Sequence, residues 1–378
     1  MKNVKVRRPA PAFPSLGAGW RAGLFGVLAA CAGCASSADS DKLRPVATTV
    51  ADARSATILV ATTRLPGNDP AAFTAGRSHL INHQLLQISI PPNHAPGEIE
   101  EAAHGPGDPA RQFAALRNER ISERQFEALA SAAARAGGGE VTVFVHGFNT
   151  SHEKAVFRLA QIVTDAGALG AAVAFTWPSR ARLLDYITDR ESVLFSRDRL
   201  EATLRTLARQ PGVRTINVLA HSMGAHLVME TLRQAKLRGD GEFSGKLNAV
   251  VLASPDIDLD VFRTQLEVVG RRPRLTVLLV SSDDRALSLL RWIAGDAVRL
   301  GAVMIGSVEA RDEINRLGLV VIDQKSVRTN EFDAHNKFAA APKIIQHVGA
   351  LLGESRRSAG GAIIDLDQAA DIVDSTNR

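Results

Sequence analysis

From about residue 56 onward the chain alternates short apolar runs with longer stretches in which apolar residues recur every three to four positions. The runs predict strands over 57–62 (TILVAT), 85–90 (LLQISI), 141–145 (VTVFV), 171–176 (AAVAFT) and 216–220 (INVLA). Further strands are predicted over 249–253 (AVVLA), 275–280 (LTVLLV) and 317–322 (LGLVVI). The later runs are β-branched and almost unbroken, which suits strands covered on both faces. Between them, Val193, Leu200, Leu204 and Leu207 fall on one helical stripe. Ser122 with Gln125 three residues on forms a capping box at another helix start. This alternation predicts an α/β fold with a mostly parallel central sheet and helices on both faces. Residues 91–112 are dense in Pro and Gly and read as a surface loop, and no internal repeat is present. One domain is expected over 56–353, followed by a small-residue, acidic tail over 354–378.

Charge changes this picture only at the N-terminus. Lys and Arg total 45 against 40 Asp and Glu, a surplus of five, and Lys2, Lys5, Arg7, Arg8 and Arg21 account for all of it. The rest of the chain is balanced, so the basic surplus that a nucleic-acid binder needs to meet phosphates is missing from the folded part. Nucleic acid is therefore not an expected partner. With 45% hydrophobic residues and 2 Cys, the composition also excludes a disordered chain and a disulfide scaffold.

The basic opening runs into an uncharged stretch, 22–30, too short to span a bilayer as a helix. It fits the apolar region of a secretory signal over 1–30. Leu28-Ala29-Ala30-Cys31 resembles the lipobox of bacterial lipoproteins, and Cys34 is a second acceptor with a poorer match. The resemblance implies lipidation at Cys31 and residence in the bacterial cell envelope, bound to a membrane through the lipid. Release into the periplasm after ordinary signal cleavage is the alternative. Residues 31–55 are small and polar and read as a flexible tether.

The chemistry concentrates where a strand runs into Ala220-His221-Ser222-Met223-Gly224 and a helical pattern begins at once. This is a nucleophile elbow with Ala in place of the first Gly. Its sharp turn tolerates only small residues two positions either side of the serine, and it sets the N–H of Met223 at a helix N-terminus as an oxyanion donor. His146-Gly147-Phe148-Asn149 follows an earlier strand that should face the elbow, so the N–H of Phe148 is the expected second donor. Chain order then asks for an acid after the second strand beyond the elbow and a histidine after the last strand. Asp283 and Asp284 both qualify as the acid, Asp256 lies one strand too early, and His335 is placed for the base. His221 and His226 flank the serine, but the elbow should aim them away from it. The ten His residues show no HExxH and no metal-ligand spacing, and no phosphate-binding glycine motif occurs. No metal or cofactor is expected.

Taken together, HGFN, TWPS (176–179), AHSMG and SPDID (254–258) resemble, in order and spacing, a bacterial α/β-hydrolase family of envelope esterase/lipase-like proteins. That resemblance covers most of 57–350 and implies the α/β-hydrolase fold and a serine hydrolase. Its pattern, an Asp two residues before Ala-Leu, selects Asp284 as the acid. About twenty residues separate the strands either side of Ser254, where many hydrolases insert a lid, so no large lid domain is expected. The expected activity is that of a carboxylesterase or lipase-like enzyme, with an ester or acyl small molecule or lipid as substrate. An amidase or acyltransferase would use the same triad, and a non-catalytic envelope lipoprotein would use the fold only for binding. Leu287–Ala294 could line an acyl pocket or pack on the sheet, and Tyr186 could contact substrate or pin its loop.

The lipidation reading predicts that palmitate label is lost on Cys31→Ser and kept on Cys34→Ser. Label that survives the first change and disappears with the second would move the lipid to Cys34.

Overall fold

A computed structural model describes residues 41–69, 72–167, 170–270, 275–281, 308–324 and 362–365. The strands are β1 (Arg54–Pro66), β2 (Phe73–Ile90), β3 (Ala114–Ile121), β4 (Glu140–Val145) and β5 (Ala171–Thr176), then β6 (Thr215–His221), β7 (Leu247–Ala253), β8 (Leu275–Val280), β9 (Leu319–Asp323) and β10 (Ala362–Asp365). The helices are α1 (Glu123–Ala136), α2 (His152–Ala166), α3 (Tyr186–Arg209), α4 (Met223–Leu237), α5 (Leu259–Val269) and α6 (Val308–Leu317). None of the described helices is long and apolar enough to cross a membrane.

One sheet orders the strands β10-β9-β8-β7-β6-β4-β5-β1-β2-β3. β1, β2 and β3 pair antiparallel as a meander, and every other pairing is parallel. Alternate side chains of the central strands go to opposite faces. Val141, Val143 and Val145 pack with Phe126, Leu200, Leu204 and Leu227 on one side. Phe144 packs with Val156, Phe157 and Leu159 of α2 on the other. Burial on both faces is why these strands read as unbroken apolar runs.

The order of β4, β5 and β6 decides where a site can form. The chain steps outward from β4 to β5, then crosses back to lay β6 on the other side of β4. Connections therefore diverge at the β4/β6 pair and leave a crevice beyond its carboxyl ends, the usual binding position in open α/β sheets. Between β7 and β8 the described connection is the single helix α5, in agreement with the expectation of no lid domain there.

Three features differ from the sequence reading. β3 is not predicted because it is an edge strand with exposed Arg117 and Glu119 paired to each other, so its apolar signal is halved. The described part of the expected tether is not free: Leu43 is buried, its carbonyl accepts from Asn118, and Val46 N–H donates to Ala115. Packing on β3 supplies partners that a small, polar composition does not reveal. Within the expected tail, β10 pairs parallel with β9.

The 91–112 loop is pinned by a buried histidine. His94 Nδ1 lies 2.8 Å from Glu100 and Nε2 lies 3.0 Å from Asp165, with the ring edge-on to Phe113. Asp165 also accepts from Gly97 N–H at 2.7 Å and from Gln161 at 2.6 Å. Burial disfavours the charged imidazole, but the bonds to Asp165 and Glu100 outweigh it and raise the pKa. Burial likewise opposes the Asp165 charge, and the bonds from His94, Gln161 and Gly97 outweigh it and lower the pKa.

The sign follows from linkage. The His94 contribution is complete below its unfolded pKa of about 6.5 and is lost as pH rises through the raised value, whereas that of Asp165 is lost only as pH falls through its lowered value. The difference in melting temperature between the parent and His94→Gln should therefore be large near pH ~5.5 and narrow by pH ~8.5. An equal difference at both pH values would show that the clamp owes nothing to charge.

Candidate active site

β6 ends at His221 and α4 begins at Met223, so Ser222 alone carries the reversal. Its backbone sits at φ 53° and ψ −120°, a conformation that costs a non-glycine residue about 1–3 kcal/mol. The surrounding backbone holds it there. Ser222 N–H donates to Ala253 at 2.8 Å, and its carbonyl accepts from Ala225 at 3.0 Å and Asp256 at 3.2 Å. The hydroxyl is buried and has no hydrogen-bond partner among the described residues. It stands at the N-terminus of a 15-residue helix, where backbone N–H groups favour negative charge.

Two glycines let the loop after β4 close on this turn. A Cβ on Gly224 would lie 2.4 Å from the His146 carbonyl oxygen and 2.6 Å from that of Val145. A Cβ on Gly147 would lie 2.7 Å from His221 Nδ1 and 2.9 Å from Ser222 Cβ. Neither space admits a methyl group, and overpacking of this kind costs about 1–3 kcal/mol. Asn149 completes the loop at φ 55°, a left-handed turn that Asn tolerates better than most side chains.

His146 braces the loop. Its ring stacks on Trp177 at 4.9 Å and 13° between planes. Nδ1 faces the Gly147 carbonyl at 2.9 Å, Nε2 faces the Trp177 carbonyl at 3.1 Å, and Trp177 Nε1 donates back to the His146 carbonyl at 2.7 Å. Burial, and then the charge of Arg64, pushes its pKa down to about 3 against the pull of those carbonyls. With both nitrogens against backbone oxygens, this ring is not placed to take a proton from Ser222.

Beneath the loops lies a charge that sequence reasoning did not find. Arg64, at the end of β1, is buried and donates to the Ser179 and Thr150 carbonyls, each at 3.0 Å. It thereby ties the TWPS and HGFN segments together. Burial lowers its pKa to about 10, with Glu153 and Asp189 opposing the fall. Asp189 accepts from Ser179 Oγ at 2.6 Å and Arg180 N–H at 2.9 Å, and burial raises its pKa. No local pattern marks Arg64, because its partners lie 86 and 115 residues away.

The end of β7 completes the site. Ser254 has φ 44° and a buried hydroxyl without a partner among the described residues. Asp256 Oδ2 accepts from the Tyr186 hydroxyl at 2.7 Å, and the Tyr186 ring meets Phe148 edge-on at 5.3 Å. Tyr186 thus pins the Phe148 loop to the segment after β7. Asp258, not Asp256, caps α5, accepting from Asp260 at 3.0 Å and Val261 at 3.1 Å. Ser222, Met223, Phe148 and Asp256 are therefore brought to one crevice. His221 lies against Gly147 in that crevice, and His226 is buried one helical turn further on. Asp283, Asp284, His335 and Cys31 lie outside the described residues.

No curated protein matches the chain. Among solved structures it resembles a Pyrobaculum calidifontis esterase, with 10% identity and a TM-score of 0.33 over 61% of this chain and 93% of that one. It also resembles an esterase from the fungus Rhizomucor miehei, with 11% identity and a TM-score of 0.33 over 84% and 85% of the two chains. A third is the RedJ thioesterase of the prodiginine pathway of Streptomyces coelicolor, with 13% identity and a TM-score of 0.30 over 58% and 87%. The model of the family described as "alpha/beta hydrolase of unknown function (DUF900)" matches residues 122–354, more than half of the chain, and the protein belongs to that family.

Proposed function

We propose that the protein is a serine esterase or lipase-like hydrolase that works through an acyl-enzyme on Ser222. The observation that carries this reading is the strained Ser222 turn, with its buried, unpartnered hydroxyl held against the Gly147–Phe148 loop. An ordinary strand-to-helix junction has no need of either the strain or the close approach.

In this mechanism Ser222 Oγ attacks the ester carbonyl carbon while the base, His335, takes its proton. The carbonyl oxygen becomes an oxyanion held by the N–H groups of Met223 and Phe148. Collapse of the tetrahedral intermediate breaks the bond to the alcohol, which leaves with the proton from His335. Water then attacks the acyl-serine and gives up a proton to the same histidine, which passes it to Ser222 Oγ as the bond to the serine breaks and the acid leaves. Asp284 orients the imidazole by accepting from its Nδ1–H. The sheet order supports an acid after β8, the second strand beyond β6. Asp256 has a carboxylate oxygen bonded to Tyr186, which suits the anchoring of a loop. The substrate is an ester of a small molecule or lipid, and a lipid on Cys31 would hold the enzyme at a bacterial envelope membrane.

Ser222→Ala should abolish hydrolysis of p-nitrophenyl esters and labelling by a fluorophosphonate, with the circular dichroism spectrum unchanged. Undiminished labelling of that variant would refute the mechanism.

The acid is tested separately. Asp284→Asn should lower kcat by about 10⁴, as loss of the orienting carboxylate does in the serine-protease template. Asp283→Asn should stay within about threefold of the parent, since on this reading Asp283 makes no bond to the base. The reverse result would exchange the two roles, and silence at both would shift the acid to Asp256.

A further inference from the structure

Among the described residues nine large hydrophobic side chains are exposed, and four of them, Leu183, Leu184, Ile187 and Leu194, fall within twelve residues. Leu184 is 93% exposed, Leu183 62% and Ile187 61%. They stand on the single 3-10 turn Leu183–Asp185 and the start of α3. Leu183, Ile187 and Leu194 follow one another at spacings of four and seven, which sets them along one side of the helix.

The segment that presents them is fixed from within. Tyr186, between Leu184 and Ile187, is 1% exposed, donates to Asp256 and meets Phe148 edge-on. Asp189 accepts from Ser179 Oγ and from Arg180 N–H. Arg77 of β2 donates to the Thr188 carbonyl and to Ser192 Oγ, each at 3.1 Å. The apolar residues are thus held outward beside the residue that ties Phe148 to Asp256, on the rim of the Ser222 crevice. A cluster of this kind with a polar border marks an interaction surface.

The border is basic. The side chains of Arg182 and Arg180 are 69% and 51% exposed, and both approach Asp185, at 3.4 and 3.5 Å. Arg77 and Arg190 also reach water, whereas Asp185 and Glu191 are the acids that do, since Asp189 is buried. Four cations therefore face two acids. Protruding aliphatic side chains among arginines suit a surface of anionic lipid, which takes the first into its acyl boundary and the second at its phosphates. Protein interfaces instead favour aromatic residues and Met, which this patch lacks on its outer side, and a second copy would bring the same arginines face to face. We propose that Leu183, Leu184, Ile187 and Leu194, with Arg180 and Arg182, form a docking surface for an anionic lipid bilayer at the mouth of the crevice. This surface is distinct from a lipid on Cys31. Binding to it needs no turnover, so it stands or falls apart from the role of Ser222.

The test uses the full chain carrying Cys31→Ser and Cys34→Ser, which removes both thiols of the protein and any lipid on them. Leu184→Cys in that background is labelled with an environment-sensitive fluorophore. Leu237→Cys is the control, an exposed leucine at the opposite end of α4 from the elbow. The label at 184 should brighten on vesicles of phosphatidylglycerol and less on phosphatidylcholine, with no change at 237. Ile187→Ser should weaken that binding at least about tenfold on phosphatidylglycerol, because it removes an inserted aliphatic side chain. Arg182→Gln should weaken it about fivefold there and leave phosphatidylcholine unaffected. Circular dichroism checks that each variant is folded. The proposal would be overturned by silence at 184, by equal brightening at 184 and 237, or by equal response to the two lipids. Brightening that rises with protein concentration without vesicles would also overturn it, and would make the face an interface between two copies.

Discussion

The site depends on one contact, the meeting of the β4 loop with the β6 turn at Gly147 and Gly224. Side-chain carbon is excluded from both positions by backbone and by the elbow itself, at distances below 3 Å. That closeness follows from topology. β4 and β6 are hydrogen-bonded parallel neighbours, yet they are separated in the chain by β5 and two helices, so their carboxyl ends lie side by side while the connections that leave them diverge. The loop that closes on the β6 turn is rigid because it is braced from behind. His146 stacks on Trp177, Arg64 holds the carbonyls of Thr150 and Ser179, and Tyr186 joins Phe148 to Asp256.

Much of this bracing is polar and buried. Arg64, Asp189 and Glu153 lie within the fold, and His146 and His152 beside them are kept neutral, first by burial and then by the Arg64 charge. A buried charge is tolerated only when its hydrogen bonds are made, and removal of one partner leaves the other exposed to the full desolvation cost. Such a network is a poor way to add stability and a good way to hold loops in one arrangement, since alternatives leave charges unpaired. That suits a turn whose backbone is itself strained. Ser222 stays at φ 53° because Ala253, Ala225 and Asp256 fix its N–H and carbonyl from three sides.

The chain belongs to an α/β-hydrolase family, and its sheet order leaves a crevice beyond the carboxyl ends of β4 and β6, the usual binding position in open α/β sheets. The aromatic contact between Phe148 and Tyr186 gives a clear reason why the only Tyr of the chain lies in the segment after TWPS. It pins the Phe148 loop to the segment after β7, beside the Ser222 turn.

The central strands and the elbow were legible from local pattern. β4 to β8 were expected within a residue or two at each end, because burial on both faces writes an apolar run into the chain. The Ser122 capping box and the α3 stripe of Val193, Leu200, Leu204 and Leu207 were read for the same reason, since their signals lie within a few turns of helix. The elbow was legible because a strained serine demands small neighbours at fixed spacing. What lay beyond the sequence was whatever depends on residues far apart in the chain or on one-sided burial. β3 is an exposed edge, Leu43 is buried only because β3 covers it, and the partners of His94, Arg64 and Tyr186 lie up to 115 residues away. The sequence alone determined the strand-and-helix alternation and the strained turn, because those are local consequences of side-chain size and periodicity. Only the tertiary structure decided which side chains brace the loop that faces Ser222 and which buried charges hold it there, because hydrogen-bond partners are chosen by the order of strands in the sheet.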